Sequence, residues 1–104
     1  KLLRGEVQSF TIRHAPEGAF NDLGSIYKVI DGNLYLMAPG TEGRPPRVLV
    51  IADGATNGEA SYVRQFILEG EQVGELVDIY VDPDESRLYV LDSKHIFAID
   101  LSSR

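Results

Sequence analysis

Histidine and carboxylate side chains are the groups through which this chain would do acid–base or metal chemistry, and their spacing supports neither. A zinc site needs several nitrogen, sulfur or carboxylate ligands gathered on one side of a fold. His14 and His95 are the only histidines, and neither has a ligand-type residue two or four positions on. Asp82, Asp84 and Glu85 share one short segment, but the Asp-x-Asp-x-Asp-Gly order and distal Glu of a calcium loop are missing. Pro83-Asp84-Glu85-Ser86 reads instead as a hairpin turn, with Pro fixing φ and Asp bonding the local backbone. Asp92, Ser93 and His95 have the residue types of a hydrolytic triad. Successive strand residues point to opposite faces, so a near-consecutive run does not assemble one. Cysteine is absent, which removes disulfides, thiolate zinc sites and a cysteine nucleophile. No glycine-rich phosphate loop, nucleophile elbow or zinc-hydrolase motif occurs. The expectation is a non-enzymatic protein with no catalytic residue, metal or cofactor.

Bulk composition narrows the partners. Sixteen Asp and Glu against ten Lys and Arg give a net charge of −6. That balance disfavours nucleic acid and anionic membranes. Nine of the sixteen carboxylates lie between Glu69 and Asp100, where they read as a solvated acidic surface. Hydrophobic residues make up 43% of the chain, ordinary for a folded domain, and 104 residues fit one domain. No signal-peptide pattern and no apolar run of membrane-spanning length is visible. The chain starts at Lys1 instead of Met and is read as processed, excised or engineered.

The elements that would position any site are strands. Eight segments read so: residues 6–14, 25–30, 34–38, 47–52, 61–68, 77–82, 88–92 and 95–101. No stretch carries a 3.6-residue apolar period over a helical length. Asp31-Gly32-Asn33 separates two apolar runs and predicts a tight hairpin, since Asp and Gly both tolerate positive φ. Residues 39–46 form a Gly/Pro-rich loop. Several strands are apolar on both faces, such as the run Val48-Leu49-Val50-Ile51. A two-layer sandwich would leave one face polar, so these strands predict sheets stacked as interior layers.

The segments repeat. Val7-Gln8-Ser9-Phe10 matches Val63-Arg64-Gln65-Phe66 at an offset of 56 residues. Ile26-Tyr27 matches Ile79-Tyr80, and Leu34-Tyr35-Leu36-Met37 matches Leu88-Tyr89-Val90-Leu91, at offsets of 53 and 54. Val48-Leu49-Val50-Ile51 matches Ile96-Phe97-Ala98-Ile99 at 48. A drifting offset means a fixed strand order joined by loops of different length. The repeat units cover residues 6–52 and 62–101 of a single domain spanning residues 1–104. Tyr27, Tyr35, Tyr80 and Tyr89 recur at matched positions and are expected to pack between units.

Asp31-Gly32-Asn33-Leu34-Tyr35-Leu36-Met37, and more strongly Arg87-Leu88-Tyr89-Val90-Leu91-Asp92-Ser93 followed by Ile96-Phe97-Ala98-Ile99-Asp100, resemble β-propeller blades of the NHL and YWTD-like kind. Ser93-Lys94-His95 stands where NHL blades carry Asn-His-Arg, and the Tyr-Trp-Thr-Asp tetrapeptide is absent, so no family activity carries over. The resemblance implies an all-β, propeller-like fold of two blades of four antiparallel strands in the order D-ABCD-ABC. Closed propellers need about four to eight blades. Two blades leave unpaired edges, and such edges invite pairing with another chain. Val7, Phe10 and Ile12 on one edge, and Ile96, Phe97 and Ile99 on the other, are the expected strand-exchange residues. The partner implied is the protein itself, as a ring of three or four copies, or the remaining blades of a longer parent chain. Divergent blades of this kind fit a parent among bacterial sensor and signalling proteins. In propellers the D-to-A and B-to-C loops share one face. That face would place Glu42, Arg44, Arg47, Lys94 and His95 as partner- or ligand-binding residues. The function expected is a protein-interaction and self-assembly scaffold. The alternative is small-ligand or glycan binding at the loop face.

Overall fold

The computed structural model describes residues 5, 11–40, 45–54, 59–68 and 73–101. The strands are β1 (Thr11–Arg13), β2 (Ser25–Lys28), β3 (Leu34–Ala38), β4 (Arg47–Gly54), β5 (Glu59–Ile67), β6 (Asp78–Val81), β7 (Arg87–Leu91) and β8 (Ile96–Asp100). No helix occurs among the described residues. Two sheets result, one in the order β1-β5-β4-β3-β2 and one in the order β6-β7-β8.

The sequence repeat is a repeat of register. Tyr27 pairs with Tyr35 and Ile26 with Leu36 across β2 and β3. Tyr80 pairs with Tyr89 and Ile79 with Val90 across β6 and β7. Leu49 faces Leu36 and Ile51 faces Leu34, as Phe97 faces Val90 and Ile99 faces Leu88. The drift in offset is confined to the loops. A one-residue slip would move every apolar side chain to the opposite face, so the shared register defines equivalent faces in the two sheets.

Those faces build three layers. Tyr35, Met37, Val48 and Val50 of the first sheet meet Ile79, Val81, Leu88 and Val90 of the second in one buried core. On its other side the first sheet buries Leu34, Leu36, Leu49 and Ile51 beneath Ile12, Ala15, Ala19 and Phe20. Every residue of β3 is therefore buried, and so are Val48 through Ile51 of β4, as their both-face apolar run predicts. Among the described residues nothing covers the second sheet in the same way. Tyr80, Leu91 and Ile96 lie on its outer face and are 47%, 39% and 74% exposed.

One expectation is corrected. Residues 6–14 were expected as an unpaired edge strand; Thr11–Arg13 instead runs parallel to β5, with Ile12 opposite Ala60. The edge of β5 is thereby covered, and Ile12 gains a place in the outer core. Of the expected edge residues, Val7 and Phe10 lie outside the described residues. The Asp31-Gly32 hairpin forms, but only Asp31 takes positive φ, at 60°. The bond from Gly32 N to Val29 O, at 2.9 Å, closes a turn with Asp31 in its third position, where positive φ is required.

Candidate interaction site

Four connecting loops meet at one end of the molecule through specific hydrogen bonds. Arg47 donates from Nη1 to Ala19 O at 2.9 Å and from Nη2 to Asn21 O at 2.9 Å, tying the loop after β1 to the start of β4. A third bond, from Nη1 to Gln65 Oε1 at 3.2 Å, fixes the same guanidinium to β5. Leu76 N donates to Pro39 O at 3.0 Å, and Gly74 N donates to Asp92 Oδ2 at 2.9 Å. The β1–β2, β3–β4, β5–β6 and β7–β8 connections thus share an end. Arg47 serves there as a clamp and not as an open anion donor, because its planar fork is occupied by two carbonyls and an amide. Glu42 and Arg44 lie outside the described residues.

Lys94 and His95 are exposed and ride on a turn organised by Asp92. Asp92 Oδ1 accepts from Lys94 N at 2.8 Å and from His95 N at 2.6 Å. His95 Nδ1 lies 3.4 Å from the same carboxylate. No hydrogen bond among the described residues joins Ser93 to His95, so the triad-like trio is an Asx-type turn. The amides of Gly74 first, then Lys94, hold the Asp92 carboxyl well below the usual carboxylate range, against the opposing effect of burial. A carboxylate favoured in the folded state stabilises the fold above its unfolded pKa of about 4, and that contribution is lost as pH falls below it. Asp92→Asn is expected to flatten the acid side of the stability profile, read as urea midpoints between pH 7 and pH 3.

The carboxylates of the β6–β7 turn are engaged locally or across the sheets. Asp84 Oδ1 accepts from Ser86 N at 3.1 Å and from Ser86 Oγ at 2.7 Å. Glu85 crosses to the first sheet: Oε2 accepts from Asn33 N at 3.0 Å, while Oε1 accepts from Asn33 Nδ2 at 2.9 Å and from Tyr35 Oη at 2.7 Å. Gly32 makes this approach possible, since a Cβ there would collide with Glu85 Oε2 and with Val29. Beside this clamp the tyrosine rings form a ladder, Tyr27 to Tyr80 at 5.2 Å and Tyr80 to Tyr89 at 6.1 Å between centroids. Glu85 is the residue sequence reading missed, because its partners lie 50 and 52 positions away.

Two of the concavities among the described residues bear on this end and on the edge of the second sheet. The one at the loop end, between Arg47, Asp22 and Glu75, measures ≈ 110 Å³. Ligand pockets usually enclose about 300–1,000 Å³. The other, ≈ 330 Å³ and lined by Ile67, Leu68, Val73, Phe97 and Ile99, runs beside β8, the outermost described strand of its sheet. Among the described residues no cluster of three or more His, Asp or Glu is placed to hold a metal ion. Comparison with protein-family models, with curated proteins and with solved structures gave no match to this chain.

Proposed function

We propose that this chain is a propeller-type stacking module of two blade-like units, β2 to β5 as a four-stranded blade and β6 to β8 as a three-stranded one, and that it works by binding other sheets, its own copies first, and not by catalysis. The observation that carries this reading is the outer face of the second sheet. Its residues Tyr80, Tyr89, Leu91, Ile96 and Ala98 occupy the register positions that Tyr27, Tyr35, Met37, Val48 and Val50 occupy in the first sheet. In the first sheet that face is covered by another sheet; in the second it is open. The groove runs beside β8, the register equivalent of β4, whose outer neighbour in the first sheet is β5; an added fourth strand would pair at that edge. Strand exchange by residues 6–14 would first require Thr11–Arg13 to leave β5, whereas stacking of faces needs no such release. Small-ligand or glycan binding at the loop end has less support, since the concavity there is small and its arginine is already clamped.

Light scattering after size exclusion tests the reading. The wild type is expected to exceed its 11.5 kDa chain mass as concentration rises. Ile96→Asp, which places a charge in the middle of the open face, is expected to return the mass to that of a single chain while leaving the fold intact. Equal masses for the two proteins would remove the open face from the assembly.

A further inference from the structure

We infer that the second sheet's outer face receives the β2 edge of a second copy, head to tail, through an ion pair between Asp31 of one copy and Arg87 of the other. The inference rests on the self-assembly reading above and names its surface and its polar contact. The template is the contact inside the chain. There a carboxylate in the β6–β7 turn, Glu85, reaches back to Asn33 and Tyr35 at the start of β3. The equivalents of those partners on the second sheet are Arg87 and Tyr89, at the start of β7. Arg87 is exposed and points to the outer face, because its neighbours Leu88 and Val90 are buried in the inter-sheet core.

The matching carboxylate on the first sheet is Asp31. It lies in the corresponding hairpin turn, is exposed, and has the same left-handed backbone as Glu85, with φ of 60° against 57°. Where the internal clamp pairs a carboxylate with an amide and a hydroxyl, the intermolecular one would pair it with a guanidinium and a hydroxyl. A guanidinium matches a carboxylate in charge and, in its planar fork, in shape. The surroundings of Asp31 support the same docking. The cap over the first sheet's outer core leaves the β2 edge open, with Ile26 61% and Ile30 87% exposed. Ile26 is the register equivalent of Ile79, which inserts into the internal core. Tyr80 would then receive Tyr27 of the next copy as Tyr27 receives Tyr80 within the chain, and the ring ladder would continue across the junction.

A charge-reversal cycle read by sedimentation equilibrium tests the pairing. Arg87→Glu places like charges at the junction and is expected to weaken association about tenfold. Asp31→Asn keeps a residue that tolerates the left-handed backbone and removes only the charge, with a smaller loss of about threefold expected. The double variant Asp31→Lys/Arg87→Glu restores opposite charges and is expected to recover association to about the wild-type level. Circular dichroism melts confirm that each variant folds, and a 1:1 mixture of Asp31→Lys with Arg87→Glu gives a second route to the reversed pair. If the wild type associates but the single variants match it, or the reversed pair fails to recover, the Asp31–Arg87 junction is wrong while self-assembly stands. If the wild type remains a single chain at every concentration, the self-assembly reading fails and this junction with it.

Discussion

Leu88→Ala lowers the unfolding free energy by about 3 kcal/mol, the cost typical of emptying a buried leucine site. Leu88 is fully buried and sits in the core shared by both sheets, where β6 and β8 hold the backbone on either side of β7. The walls therefore have little freedom to collapse into the cavity. Domains of this size are stable by roughly 5–15 kcal/mol, so the variant loses a large share of its stability. The melting temperature is expected to fall by roughly 15 °C, with urea titration giving the free energy directly. Ile96→Ala removes similar apolar atoms one strand away, but Ile96 is 74% exposed on the outer face. In dilute protein that change is expected to stay within about 0.5 kcal/mol. Equal losses at the two positions would mean that the sheets do not stack on the Leu88 side.

Glu85→Gln costs about 2–3 kcal/mol, the second large effect. Three donors converge on the Glu85 carboxylate from Asn33 and Tyr35. Glutamine loses the charge and turns an amide NH₂ toward groups that are themselves donors, leaving at least one without an acceptor. A double-mutant cycle with Tyr35→Phe is expected to show coupling of about 1–2 kcal/mol, since the two side chains share one bond. The same contact sets an alkaline limit. Burial first, then the bond to Glu85 and its charge, push the Tyr35 hydroxyl above its ordinary pKa. A group whose pKa is raised on folding stabilises the fold below its unfolded pKa of about 10, and that contribution is lost as pH rises beyond it. Tyr35→Phe is expected to lessen the fall in stability above pH 10. An unchanged alkaline profile would place the Tyr35 hydroxyl outside the clamp.

Much of this architecture was legible in the residues, because its signals are local. Ile26-Tyr27 and Ile79-Tyr80 announce equivalent strands by type and spacing, and the paired tyrosines land in the same register in both sheets. The both-face apolar run Val48-Leu49-Val50-Ile51 foretold a strand with cover on two sides, and β4 has it. What stayed hidden depends on partners distant in the chain. Nothing near Thr11–Arg13 distinguishes a free edge from a parallel ladder on β5, whose residues lie 48 positions on. Arg47 reads as an available cation until the carbonyls of Ala19 and Asn21 are folded against it. Glu85 reads as one more acidic turn residue until Asn33 and Tyr35 arrive from the other sheet. Ile96 misled in the other direction. It is as apolar as Val48, its register equivalent, yet Val48 is fully buried and Ile96 is open. That contrast between equivalent positions is the feature the functional proposal explains.

Amide hydrogen exchange followed strand by strand across a series of protein concentrations tests that explanation most directly. Amides of β3, in the covered sheet, are expected to exchange slowly at every concentration. Amides of β8 are expected to exchange faster in dilute protein and to slow progressively as concentration rises and a neighbour covers the outer face. Exchange in β8 that does not change with concentration would contradict the proposal that this face is where copies of the chain meet.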